Sequence, residues 1–422
     1  KIIIMNNENI LLYLASILTL FSFVYIKLRN MTSGAILLLL YTFCAWGGYI
    51  YYKTGAVFLF NDRVSLTVEP FVYLVCVLFI FFYPFLMFRV SNYTSIEIID
   101  KKSFLKVVKI LLYAEILLII LFLPSLMSAM SGNVGDNRNA IYEGESFIAI
   151  KNPLILYVYR LVGGLKQLCI VIAFYGFIFY RKEKIMKWFL LISIAYPVFV
   201  SLIYIMRSQI LLVMLLLIYI AYMFKPFISK RIWKKSMRIG LVSGVAGFAG
   251  MQAISVSRFG DMVWTFFFRY WGETFINFNN LLYNQLNGYT HGQCYFPTIS
   301  KLLGLPTTSN NIEKYDLIDH VCGIDGGIFY TFIGNLCIEY GEIITFIISV
   351  VFCLINIRLL KSNNGTLRLS QLLIVGFWGW QFLGGIFTCV FQGDGGNWEI
   401  ILTIILYLYF NKQKGKAILI QK

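Results

Sequence analysis

The chain has 422 residues, 59% of them hydrophobic, 18% aromatic and only 13% charged, with a formal net charge of +16 and a mean hydropathy of +0.75. A soluble globular domain does not carry so apolar a composition, and the sequence reads as that of a membrane protein. The excess of positive charge is no nucleic-acid footprint, because the basic residues lie between apolar runs and not on a soluble fold.

A spanning helix needs about 20 mostly apolar residues. Eleven such runs are predicted in chain order, at about 9–26, 32–51, 68–88, 107–127, 153–180, 188–206, 208–227, 239–255, 330–356, 369–390 and 398–411. The first has no cleavage-site pattern and no basic stretch before it, so it reads as a retained span. Runs 188–206 and 208–227 are parted only by "RSQ" at Arg207 and predict a tight helical hairpin. Assigning alternate loops to one side gathers there the larger share of the 36 Lys and Arg, including Lys225 to Arg238 and Lys412 to Lys422. Lys and Arg accumulate on the cytoplasmic side, which places the N-terminus outside and the C-terminus inside, with an attraction to anionic lipid headgroups. The expected organisation is an all-α polytopic protein of three parts. Residues 1–254 hold eight spans, 255–329 form a large outer loop, and 330–422 carry three more spans and a basic cytoplasmic tail.

Six of the eight cysteines, Cys44, Cys76, Cys169, Cys337, Cys353 and Cys389, fall in predicted spans as small apolar fillers. Cys294 and Cys322 fall in the large loop, where a free pair and a disulfide are both open. Metal-ligand spacing is absent from the sequence, so no metal and no cofactor is expected.

Two outer segments exceed an ordinary connection. The first, "SAMSGNVGDNRNAIYEGESFIAIKNP" at 128–153, surrounds Arg138 with Gly, Asn and acidic residues and reads either as a lid or as a plain solvated loop. The second, from Ser255 to about Phe329, is long enough to carry structure of its own. Plotted at helical spacing, Arg258, Asp261, Thr265, Arg269, Gly272 and Glu273 fall in a sector roughly 120° wide, and aromatic residues cover the rest. The stripe predicts an interfacial helix whose polar side faces protein or water. Its charges at i,i+3 and i,i+4 either form intrahelical ion pairs or leave two guanidiniums to hold an anion. Beyond it lie both histidines of the chain, His291 and His320, with Asp325 in a glycine-rich stretch. A histidine acts as a base near neutral pH. Glu339 and Glu342 enter the next span, where a carboxylate needs a partner, and Arg207, Lys166 or Arg160 is the expected one.

The stretches "YWGETFINFNN", "IDGGIFYTFIGNLCIEYG" and "MRSQILLVMLLLIY", with ten or more spans and a large outer loop in the second half, resemble the Wzy-type polymerases that join oligosaccharide repeat units of O-antigen and capsule. An arginine–ten residues–glycine repeat described for some members is absent, since Arg258 is followed at that interval by Arg269 and Arg269 by Asn280. The resemblance implies a GT-C-like architecture in the bacterial inner membrane with an outward-facing active site. It implies transfer of a glycan from undecaprenyl diphosphate onto a second lipid-linked unit, beside a flippase and a chain-length regulator. On this reading Arg258, Arg269, Arg207 and Arg138 hold the pyrophosphate. The base is one of His291, His320, Glu273 and Asp325, and Trp271, Tyr289 and Tyr295 seat the sugars. The alternatives are a polysaccharide ligase, a structural co-assembly protein, or a lipid-linked oligosaccharide flippase or transporter. Against the last, no internal repeat is visible and the polar residues gather on one side.

Overall fold

The structure is a computed structural model that describes all residues except 1–5, 62, 133, 143–147, 149, 151, 309, 362–364, 414 and 420–422; among side chains inside helices, those of Arg207 and Arg258 also lie outside the described set. Helices α1 (Asn7–Arg29), α2 (Ser33–Lys53), α3 (Val68–Met87), α4 (Lys101–Ala129), α5 (Val134–Tyr142), α6 (Pro153–Gly163), α7 (Lys166–Phe179) and α8 (Lys184–Ile203) make up the first half. The second half holds α9 (Arg207–Phe224), α10 (Lys230–Phe259), α11 (Val263–Asn277), α12 (Pro297–Leu302), α13 (Asn311–Cys322), α14 (Thr331–Leu360), α15 (Leu369–Gly384) and α16 (Gly393–Lys412).

Among the described residues, seven helical segments are long and apolar enough to cross a membrane: α1, α2, α3, α4, α8, residues 208–227 and α14; α6 and α7, bent by 54°, bring the number to eight if counted as one span. The architecture is that of a predominantly α-helical membrane protein. Of the eleven predicted spans, 239–255 lies inside α10, several of whose side chains are outside the described set. Two others fall short: α15 stops at Gly384 after 16 residues, and α16 opens on the polar run GDGGNWE, which shortens its apolar part. The predicted hairpin is present, with α8 and α9 separated by a turn in which Ile205 takes a φ of 52°.

The helices fall into two compact units. The first comprises residues 1–88, 259–361 and 381–397. Its helices α2 and α11 approach at backbone distance because glycine meets glycine: a Cβ on Gly272 would lie 2.3 Å from the Gly48 nitrogen. Small residues permit such contacts where apolar burial between helices supplies little drive. Around them Tyr41, Phe81, Phe82, Phe85, Phe332 and Phe382 form an aromatic core with centroid separations such as 4.9 Å for Phe82 and Phe382.

The second unit comprises residues 89–258, 362–380 and 398–422. It contains a feature that the all-α expectation omitted, a small sheet ordered β2–β1–β3, with β1 (Ser95–Ile99), β2 (Thr366–Leu367) and β3 (Gly415–Leu419). β1 pairs parallel with β2 and antiparallel with β3. Glu97 binds Arg368 at 2.9 Å, and Tyr175 donates to the Glu97 carbonyl at 3.0 Å. The strands are two to five residues long, and β1 pairs with partners hundreds of residues later in the chain, so no local pattern announced them.

Candidate functional site

The unbroken helix expected over 258–273 is interrupted. α10 ends at Phe259, Gly260 adopts a φ of 52° and a 3₁₀ turn, Gly260–Met262, intervenes before α11 begins. A glycine at positive φ ends the regular helical repeat, so Asp261 lies in the turn and not on the helix that carries Arg269 and Glu273. The Arg258 and Arg207 side chains lie outside the described residues.

What survives of the stripe is the pair one turn apart on α11. Arg269 Nε donates to Glu273 Oε2 at 2.7 Å, with the arginine side chain 26% exposed and the glutamate buried. The guanidinium carbon stands 3.8 Å from the centroid of the Phe60 ring. Burial pushes the Glu273 carboxyl above its ordinary range while Arg269 draws it back. The arrangement is the i,i+4 ion pair that the spacing allowed, less screened by solvent than a surface pair but set against the cost of burying the carboxylate.

A second site, built from distant parts of the chain, lies in the same unit on α14. That helix is broken at Gly341, whose φ of 77° and ψ of 170° are accessible to glycine alone. The break frees carbonyls of the preceding turn, and the segment after α11 takes them: Thr290 N donates to Ile338 O at 3.1 Å and His291 N to Glu339 O at 2.9 Å. The Glu339 carboxylate is fully buried. It accepts from Thr290 Oγ1 at 2.5 Å, from Gly292 N at 2.5 Å, from Cys294 N at 3.0 Å and from Tyr295 N. Among the described residues no ion pair is formed by Glu339, for which Arg207, Lys166 or Arg160 was the expected partner; its acceptors are filled by a hydroxyl and a nest of backbone N–H groups, which present positive potential.

Three further side chains fasten the same segment. Asn397 accepts from Thr298 N at 3.1 Å and donates to Tyr295 O at 3.1 Å. Asn335 donates to the Tyr295 hydroxyl at 2.8 Å and accepts from Cys389 N at 2.6 Å. Lys314, buried on α13, donates to Gln392 Oε1 at 2.6 Å and stands 4.1 Å from the Tyr295 ring centroid. Burial lowers its ammonium to about 8, with the neighbouring Cys294, Cys389 and Glu339 opposing. The long loop therefore carries structure of its own, as its length suggested.

The fastening holds His291 on the surface with a φ of 52°, its ring 6.4 Å from that of Tyr289. Tyr289 is 38% exposed and its phenol end sits on Gly341, where a Cβ would lie 2.7 Å from Cζ. Next along α14 is Glu342, half-buried, whose backbone carbonyl accepts from Tyr73 Oη at 2.7 Å. Tyr283 lies 5.3 Å from Tyr73, ring to ring, with its hydroxyl 3.5 Å from Glu69 Oε1. Burial and then nearby carboxylates raise the phenols of Tyr283 and Tyr289, Glu342 acting on both. Glu69, Tyr73 and Tyr283 were missed in the sequence. The available signal was the glycine between Glu339 and Glu342, which marks a break inside an apolar run.

The remaining candidates are dispersed. His320 is exposed on the last turn of α13, and Asp325 is exposed in the following turn, accepting from Gly327 N at 2.7 Å. No hydrogen bond or ion pair joins either to His291 among the described residues. Trp271 and Tyr295 are inside: Trp271 is covered by Phe43 at 5.2 Å and Phe387 at 5.5 Å, and Tyr295 by Lys314 and Asn335. Of the three expected sugar-stacking rings only Tyr289 reaches the surface. Cys294 and Cys322 are both free and buried, with burial lifting each thiol to about 12.

In the second unit, Arg138 on α5 donates to the Tyr204 carbonyl at 2.8 Å, tying α5 to the α8–α9 turn. At the bend between α6 and α7, Gln167 in its satisfied orientation donates to Glu399 Oε1 at 3.0 Å and accepts from Trp380 Nε1 at 2.7 Å. Lys166 stands 5.9 Å from the Trp380 ring centroid.

Comparison with protein-family models, curated proteins and solved structures gives no match.

Proposed function

We propose that the chain is a membrane glycosyltransferase of the bacterial inner membrane that polymerises oligosaccharide repeat units carried on undecaprenyl diphosphate, in a GT-C-like frame of eleven spans with its site facing outward. The observation that carries this reading is the ordered segment 287–300, fastened by buried polar groups onto a broken helix and presenting His291 and Tyr289 next to that helix, whose Glu342 is half-buried. Sites of that kind bring few, fixed polar groups to one place. His291 takes the proton from the acceptor hydroxyl as that oxygen attacks the anomeric carbon of the donor. The bond to undecaprenyl diphosphate breaks with the electron pair leaving on the phosphate oxygen. Arg269, a quarter exposed and oriented by Glu273 and Phe60, offers its guanidinium to the leaving diphosphate.

Purified protein in detergent with a synthetic undecaprenyl-diphosphate oligosaccharide is expected to yield a ladder of products, shortened or lost in Arg269→Ala and His291→Ala. A single product attached to a different acceptor would favour a ligase, and an absent ladder with intact binding would sink the transferase.

A second reading has its own observation. Two helices of spanning character are interrupted, α14 at Gly341 and the α6–α7 pair at its bend, and interrupted spans with polar groups at the break characterise transporters. A lipid-linked oligosaccharide flippase would move substrate across liposomes without lengthening it.

A further inference from the structure

Beside the break in α14, five side chains meet with no role in the leaving-group chemistry: Glu342, Glu69, Tyr73, Tyr283 and Tyr289. Their chemistry is selective. A carboxylate only accepts hydrogen bonds, and among the described residues no Lys or Arg forms an ion pair with Glu342 or Glu69. A ligand here must therefore supply donors. Two chemistries do so in the company of aromatic rings, an ammonium and a polyhydroxylated ring. An ammonium cage needs ring faces that converge on one point. Here the rings are layered: Tyr73 and Phe278 lie nearly parallel, at 7° and 6.3 Å, and Tyr283 is inclined at 48° to Tyr73. The phenols of Tyr73 and Tyr283 are already directed, one to the Glu342 carbonyl and one to the Glu69 carboxylate. With Phe278 buried against Tyr73, the open face is the one ring of Tyr289, 38% exposed. A single ring face with carboxylates nearby fits a flat sugar ring, whose face covers an aromatic and whose hydroxyls donate outward.

We propose that Glu342, Glu69, Tyr283 and Tyr289 form a glycan-binding subsite for a neutral oligosaccharide, with Tyr289 as the stacking face and Glu342 accepting from sugar hydroxyls. Gly341 has a specific part in it. Its missing side chain lets Tyr289 approach the helix, and its backbone turn brings Glu342 to the surface next to that ring. As the seat of the acceptor sugar the subsite rests on the polymerase reading, but as a glycan site it stands on the geometry alone.

The test is saturation-transfer NMR on the full chain in nanodiscs, with neutral hexose and N-acetylhexosamine tetrasaccharides that carry neither lipid nor phosphate, and with tetramethylammonium as competitor. Transfer to ring protons is expected in the parent. It should weaken about tenfold or more in Tyr289→Ala and in Glu342→Gln, the scale of losing a charged hydrogen bond or a stacking face, while Tyr289→Phe keeps it. Tyr289 lies in an exposed loop, so its variants report on binding even if Glu342→Gln folds poorly. Absence of transfer in the parent, equal binding in both variants, or displacement by tetramethylammonium would overturn the subsite. The two proposals fail separately. Sugar binding without a product ladder leaves the subsite and removes the polymerase; a ladder unchanged in Tyr289→Ala and Glu342→Gln leaves the polymerase and removes the subsite.

Discussion

The α11 pair and the α14 break solve the same problem in different ways. Each contains a buried carboxylate. Glu273 is neutralised by an arginine one helical turn away, a contact made as soon as the helix forms. Glu339 forms no ion pair among the described residues and is satisfied by a hydroxyl and three backbone N–H groups from a segment 44 to 49 residues earlier. The first arrangement fixes one side chain. The second fixes a whole segment, because each donor belongs to a different residue, and so sets where His291 and Tyr289 stand.

The contrast is sharpest if the two carboxylates are removed. Glu339→Ala leaves three backbone N–H groups without their acceptor, at roughly 1 kcal/mol or more each. A loss of at least about 3 kcal/mol is expected, read as a lower thermal midpoint in detergent with new proteolytic cleavage in residues 287–300. An unchanged midpoint would mean that the nest does not hold the segment. Gly341→Ala comes next, at about 2 kcal/mol, since a side chain in that backbone region is strained by 1–3 kcal/mol and would press on Tyr289. Tyr289→Ala in the same chain should relieve only the contact part, which a double-mutant cycle measures.

Arg269→Ala should cost roughly 1–2 kcal/mol, between an exposed and a fully buried pair, by leaving Glu273 buried without its cation. Glu273→Gln in the Arg269→Ala background should restore stability. If polymer synthesis returned with it, the arginine would be structural alone and its role toward the diphosphate would be lost.

The smallest effect is a slope. Burial lowers the Lys314 ammonium from 10.5 to about 8. At pH below 8 the group is protonated in both folded and unfolded states and the cost of burying the charge is fully present. Between about pH 8 and 10.5 the unfolded chain binds more protons than the folded one, so stability rises with pH over that window. Lys314→Met should flatten this rise in pH-dependent thermal unfolding, whereas a slope unchanged by the substitution would assign it to another group.

The membrane class was legible in composition and apolar run length, since lipid demands long helices whatever their neighbours. The α8–α9 hairpin was equally local, set by a three-residue polar interruption between two runs. The Arg269–Glu273 pair was legible because i,i+4 geometry needs nothing beyond the helix itself. The unbroken helix expected over 258–273 stops at Gly260, whose positive φ was a choice that no side-chain pattern records. Trp271 and Tyr295 carried the residue types of a sugar platform, yet their neighbours cover them, and exposure is a property of the packed chain.

What the sequence determined by itself is therefore whatever one helix can settle alone: apolar length, the intrahelical pair, and the cost of a carboxylate in a span that asks for a partner. Tertiary structure decided which partner answers. Backbone N–H groups bear no sequence signature, and they reach Glu339 only because a glycine breaks α14 and a distant loop folds into the gap.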